Sequence, residues 1–359
     1  MITAIIFIII IGILVFVHEF GHFVMAKRAG MKVEEFGFGF PPRIFGIKKG
    51  ETIYSLNWIP FGGFVKIFGE SGEGEDSPRS FVSKSIWARS KVIVAGVVMN
   101  IILAAVLLGF GNIFGLRTAI PEDPSLKAEN IKVQIVYVSP DSPAQNVGLE
   151  ALDEIVGFKE GSRLIQIKNI KETQEYIKNS LGKEITMIIR RGDIDLEEKI
   201  VPRINPPAGD GAVGISLAVT GILKYPWYQA FYKGITQTAF LTSATVGGYA
   251  GIIKNIFISG STGAELSGPI GIAIYTGKAA KIGFTYLMQF TALISVNLAV
   301  LNIIPFPALD GGRLLFIIVE KFKGKPISRK VENMINGIGF SALILLMIYV
   351  TSKDIIKFF

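Results

Sequence analysis

The 359-residue chain has no cysteine and only two histidines. The first absence excludes disulfides and thiolate chemistry, and any zinc site must then be built from His, Asp or Glu. Charge is scarce too: Asp, Glu, Lys and Arg make up 18% of the residues, below the ~25% of ordinary soluble domains. Hydrophobic residues are half of the chain, and they are clumped. Four stretches carry almost no charge: residues 1–26, broken only by Glu19, then 92–114, 282–309 and 334–352. Each approaches or exceeds the ~18–20 residues needed to cross the hydrocarbon core as a helix. The first lacks a basic n-region and a small-x-small cleavage site and runs on past residue 20, so it reads as a retained helix. The expected fold class is a polytopic α-helical membrane protein with four transmembrane helices at 1–27, 92–114, 282–312 and 334–352.

The net charge of +8 suits nucleic acid less well than topology. Lys and Arg bunch between Lys27 and Lys91 and again between Lys321 and Lys330, and basic residues in short loops mark the cytoplasmic side. The expectation is a cytoplasmic-side segment 28–91, an N-terminus and a segment 115–281 outside, membrane lipids as neighbours and no nucleic acid.

Within the outer segment, residues 132–203 alternate charged and β-branched residues, with strand-like runs VQIVYV, RLIQI, EITMIIRR and EEKIVPRI. SPDSPAQNVGLEALDEIVGF between them has turn chemistry followed by a short helix, and IKETQEYIKNSL has helical periodicity. With Ser142-Pro143-Ala144, Gly148-Leu149 and Asp153-Glu154-Ile155, this order resembles a bacterial PDZ domain, expected at 120–205. Leu152 stands where that family often has glycine. Residues 206–281, aromatic at the start of their helical part and rich in Thr and Gly, are expected to be associated with the outer membrane face. Residues 52–68 (TIYSLNWIPFGGFVKIF) are apolar, but Pro60, Gly62 and Gly63 forbid a helix. Extended, re-entrant backbone is expected there, tolerable at membrane depth where it packs on protein or lines a cavity.

Both histidines fall in one motif inside the first apolar stretch, His18-Glu19-Phe20-Gly21-His22. On a helix, H-E-x-x-H puts two imidazoles on one face, able to share a metal, with the glutamate placed as a general base beside it. Ionisable groups within a span are costly and mark function by default. A catalytic zinc takes a third protein ligand. Glu320 lies among the basic residues, which leaves Asp310, after Pro305 and Pro307 and before Gly311-Gly312. The competing reading of Asp310 is a helix cap beside Arg313. His18 is ten residues from Arg28 and Asp310 eleven from Lys321, so both sit roughly 15 Å from a basic cluster at 1.5 Å per residue. This holds if residues 234–253 do not cross the membrane.

The HEFGH motif, NIIPFPALDG at 302–311 and the PDZ-like insert resemble the site-2 protease family, in particular its RseP-type bacterial intramembrane zinc metalloproteases. WIPFGGFVKIFGE (58–70), AGVVMN (95–100) and SGPIGI (267–272) are similar to that family as well. The resemblance implies Zn2+ held by His18, His22 and Asp310, Glu19 as general base, and Asn302 on substrate backbone or the oxyanion. It also implies hydrolysis in or near the transmembrane segment of single-pass proteins, such as an anti-sigma factor or remnant signal peptide, at the bacterial cytoplasmic membrane. Gly62 and Gly63 are expected to let the extended segment receive substrate by strand addition. The PDZ-like domain would bind substrate C-termini or act as a size filter. The alternative from another class is a membrane metal-binding or transport protein that does not hydrolyse.

Overall fold

The structure is a computed structural model that describes residues 2–70, 74, 76–120, 128–192, 194–207, 209–260, 267–325 and 327–358. Residues 121–127 and 261–266, parts of the expected segments 120–205 and 206–281, lie outside the described residues. The chain divides into two compact units, Met1–Gly111 with Trp227–Phe359, and Asn112–Pro226.

In the first unit, α1 (Ile2–Arg28) has no proline to interrupt it and ends in Lys27 and Arg28, cations that suit the negative end of the helix dipole. Its inner face buries Ile10, Leu14, His18, Gly21, His22 and Ala26. Its other face leaves Ile2, Ile5, Ile9, Ile13, Phe16 and Phe20 exposed, an apolar stripe that suits lipid rather than water.

After α1 the chain forms β1 (Val33–Lys49) and β2 (Thr52–Ile67), antiparallel and joined at Gly50. Both strands bend in the middle. Residues 33–38 therefore pair with 53–56 on one side and with 63–67 on the other, while 43–49 pair with 52–57. The extended segment expected at 52–68 is there, but its partner was not foreseen, because GFGFPPR reads as a break rather than a strand. Phe36 packs at a tilt against Phe23 at 4.9 Å and Phe16 at 5.3 Å between ring centroids. Ala26, Met31, Val33 and Ile67 share one core cluster, and Gly12 faces Phe38 and the Pro60 carbonyl. The sheet thus follows α1 from Ala26 to Gly12, about 21 Å at 1.5 Å per residue.

Next in this unit comes α2 (Ile86–Phe114), which starts one to two turns before the expected span. A Cβ at Gly21 would lie 2.4 Å from the Ala95 carbonyl oxygen, so glycine is what lets α1 and α2 approach at the histidines.

The second unit is a seven-stranded sheet. It contains β3 (Leu116–Ala119), β4 (Glu129–Val138), α3 (Pro143–Asn146), β5 (Glu154–Glu160), β6 (Arg163–Gln166), α4 (Ile170–Asn179), β7 (Ile185–Arg191), β8 (Ile194–Ile200) and β9 (Ile215–Leu223). The strand order is β3-β9-β4-β5-β7-β8, with β6 on β5. Ile135, Ile155, Phe158, Met187 and Ile189 form its core. Asn169 caps α4, accepting from Glu172 N at 2.8 Å, and Glu172 reaches back to accept the amide of Lys168, the residue before the cap. The helical turn after Ser142 is a single turn, and EIVGF is strand β5, not helix. Strands β3 and β9 were not foreseen.

The first unit resumes with α5 (Trp227–Ser259), α6 (Pro269–Ile282), α7 (Phe284–Ile303), α8 (Asp310–Lys323) and α9 (Arg329–Phe358). A Cβ on Gly234 of α5 would come within 2.6 Å of α2 backbone, and Tyr249 donates to Asn297 of α7 at 3.1 Å. Asp354 of α9 accepts the Gly268 and Gly271 amides at the start of α6. Among the described residues, α1, α2, α7 and α9 are long and apolar enough to cross a membrane. The segment expected as one span at 282–312 is two helices instead. Pro305 and Pro307 withhold amide donors, α7 stops at Ile303, and Asp310 opens α8.

Candidate active site

Helical spacing brings His18 and His22 to the same buried face of α1, rings edge to face with centroids 4.8 Å apart. Asp310 arrives from the other end of the chain. A Cβ at Gly311 would meet the Ile304 and Ile303 carbonyl oxygens at 2.2 and 2.3 Å, and one at Gly312 the Phe306 oxygen at 2.3 Å. The two glycines therefore let the first turn of α8 fold back on the broken end of α7, carrying the Asp310 carboxylate to the histidines.

Asp310 Oδ2 lies 3.0 Å from His18 Nε2 and 3.3 Å from His22 Nε2, and the two nitrogens are 3.1 Å apart. Ligands about 2.0–2.1 Å from a tetrahedral zinc stand about 3.3 Å from one another, so the triangle fits one ion. Its chemistry fits too. His22 Nδ1 donates to the Val92 carbonyl at 2.8 Å, which leaves a lone pair on Nε2. The capping role for Asp310 does not match the structure: the α8 N-cap is Leu309, without a side-chain cap, and Arg313 pairs with Glu70.

Glu19 reaches the sheet. Its Oε2 accepts the Val65 amide at 3.2 Å. A cavity of about 280 Å³ opens there, lined among others by Glu19, His22, Gly63, Phe64, Val65 and Asp310. Gly63 is held close, since a Cβ would lie 2.8 Å from the Gly37 oxygen. Gly62 has φ +99° and faces Val15. Neither Gly62 nor Asn302, in the last turn of α7, is among the residues lining the cavity.

Sequence reasoning missed several residues here. A Cβ at Gly96 would lie 2.5 Å from His22 Nε2, so α2 presents bare backbone to the imidazoles. Asn100, fully buried, places its amide 3.4 Å from His18 Nδ1. Its signal was available: an amide side chain at the centre of an uncharged run, one of two there with Asn112.

The model of peptidase family M50 matches residues 6–346. The chain belongs to that family, the site-2 proteases. A Clostridium perfringens chain is 37% identical over 96% of this one and 95% of its own length. The zinc metalloprotease RasP of Geobacillus kaustophilus is 30% identical, covering 98% and 97%. The regulator of sigma-W protease RasP of Bacillus subtilis is 30% identical, covering 99% of both chains. This M50 peptidase is therefore a zinc metalloprotease of the site-2 type, and the non-hydrolytic alternative falls away.

Proposed function

We propose that His18, His22 and Asp310 hold the zinc, that Glu19 is the general base, and that the enzyme cleaves a peptide bond in or near the transmembrane segment of single-pass membrane proteins. The observation that carries the assignment is the triangle of three ligand atoms 3.0–3.3 Å apart. Held by these three residues, a zinc ion would supply Lewis-acid chemistry to a carbonyl and to water. Glu19 takes the proton of the attacking water and passes it to the leaving amide nitrogen, so that one water is consumed and one carboxyl and one amine are released. The Val65 amide holds one carboxylate oxygen at the cavity wall.

A substrate helix keeps its carbonyls in its own turns, and once unwound its backbone groups need partners. Residues 63–67 pair with 33–38 on one side only, and their other edge borders the cavity. That edge supports strand addition as the substrate's docking mode, with Gly62 and Gly63 as the proposed contacts in that segment, and Asn302 is proposed separately to hold substrate backbone or the oxyanion. The passage of the sheet along α1 supports a re-entrant segment 52–68. The sigma-W regulator among the relatives favours a membrane-bound anti-sigma factor as substrate over a remnant signal peptide.

Residues 120–205 we read as a PDZ-like domain outside a bacterial cytoplasmic membrane, 206–281 as membrane-associated on that side, and the active site as near the cytoplasmic side. The separate compact unit Asn112–Pro226 and the basic clusters support this. Deleting 120–205 distinguishes the domain's roles: cleavage of uncut substrates gained supports a size filter, and cleavage lost a C-terminus receptor. The site itself is tested by Glu19→Gln, which should retain zinc and lose cleavage of a model single-pass substrate; a variant that still cleaves would sink the assignment.

A further inference from the structure

We propose that Asn100 is a positioning residue of the metal centre: its side-chain oxygen accepts the His18 Nδ1 proton and so keeps Nε2 free to ligate. This rests on the zinc reading above. Asn100 is completely buried in the middle of α2. As placed, its Nδ2 faces His18 Nδ1 at 3.4 Å while its Oδ1 is buried without a hydrogen-bond partner. The contact with His18 decides which end belongs there. A neutral imidazole has one N–H and one lone pair. His18 Nε2 points at Asp310 Oδ2 and His22 Nε2, the place for the lone pair, so the proton belongs on Nδ1. A donor there needs an acceptor, and turning the Asn100 amide by 180°, which exchanges two ends nearly indistinguishable in shape, supplies Oδ1. The turn moves Nδ2 to the oxygen's former place, gives the oxygen a partner, and gives His18 the same kind of support that the Val92 carbonyl gives His22. The backbone at this position is itself held, because Ser295 of α7, also fully buried, donates to the Asn100 main-chain carbonyl at 2.8 Å. Such outer partners of a ligating histidine typically change metal affinity by 10–100-fold.

The test compares wild type, Asn100→Asp and Asn100→Leu as purified full chains in detergent. Zinc affinity is measured against a competing chelator, and the histidine N–H protons are followed by NMR after ¹⁵N-histidine labelling. With two histidines in the chain, the signals are simple to assign. Asn100→Leu keeps the shape but accepts nothing, and should bind zinc about 10–100-fold more weakly. In the zinc-loaded protein its His18 Nδ1 proton should move upfield and exchange faster. Asn100→Asp keeps an acceptor and should restore both the affinity and the slow, downfield proton. Wild-type affinity in Asn100→Leu overturns the proposal, and so does equal loss in both variants, since packing alone would then explain it. Wild type that binds no zinc would overturn the metal centre itself, a separate failure.

Discussion

Gly96 gives the most direct handle on the metal centre. A methyl group added there would sit 2.5 Å from His22 Nε2 and 2.7 Å from both His18 Cε1 and His22 Cε1. Non-bonded carbon and nitrogen prefer about 3.5 Å, so the rings must retreat by roughly 1 Å. A zinc site tolerates deviations of only about 0.2 Å. The helix cannot absorb the change cheaply either, because α1 and α2 are already in backbone contact at Gly21 and Ala95. Overpacking of this kind costs about 1–3 kcal/mol, which corresponds to a loss of roughly 5- to 150-fold in zinc affinity if the strain falls on the metal-bound geometry. Alanine is about 1 kcal/mol better than glycine inside a helix, so metal-free Gly96→Ala should unfold near the wild-type temperature. Chelator competition measures the first quantity and thermal unfolding of metal-free protein the second. Wild-type zinc affinity in Gly96→Ala would refute the claim that bare backbone at this position makes room for the imidazoles.

Two further predictions lie outside the metal centre. Arg89 and Glu320 form a mostly buried bidentate pair at 3.0 and 2.5 Å, so Glu320→Ala strands a buried cation and should destabilise by about 3–5 kcal/mol; an unchanged unfolding temperature would contradict this. Glu51, at the turn between β1 and β2, is held below its ordinary carboxylate value of 4.5, first by the hydrogen bond from Lys27 and then by Arg79. A lowered value in the folded state means stability that is present above pH 4.5 and is lost as pH falls below it. Wild type should therefore outlast Glu51→Gln at neutral pH, and the gap should close on acidification below about 4.5; a gap that widens there reverses the sign and refutes it.

How much was legible in the sequence depended on whether one residue type carried the signal locally. The apolar helices were, because burial in lipid needs only a long run without charge, and α1, α2, α7 and α9 follow from that. The triangle of His18, His22 and Asp310 was also within reach, since ionisable groups in such runs are few. The sheet of β1 and β2 was half seen: Thr52–Ile67 reads as extended, but pairing with Val33–Lys49 depends on contacts between segments and on bends at glycine and proline that look like loop. Helix α8 was missed as a separate element, because the positive φ of Ala308 (+72°) and the close packing of Gly311 and Gly312 are tertiary facts. The single-turn α3 and strand β5 show the ordinary ambiguity of short apolar runs. Gly96 was invisible for a related reason: its importance lies in what faces it from α1, whereas Asn100, an amide within an uncharged run, could have been singled out.

Val65 is where the sheet and the chemistry meet, and it carries the last prediction. In an antiparallel pair the amide and carbonyl of one residue point the same way. Since the Val65 amide reaches Glu19, this residue turns its polar backbone away from residues 33–38 and towards the cavity. It therefore offers its donor to the base and, on the same side, its carbonyl as an acceptor to an incoming strand. Val65→Pro removes that donor, and proline is tolerated on an outward-facing strand edge. A hydrogen bond to a charged group is worth about 1.5–3 kcal/mol, so kcat/KM should fall by roughly 10- to 150-fold. Zinc content should not change, because no ligand is touched, and Val65→Ala, which keeps the amide, should cleave nearly as well as wild type. Equal losses in the proline and alanine variants would mean that the side chain matters and the backbone does not. Unimpaired cleavage by Val65→Pro would show that Glu19 does not need this amide.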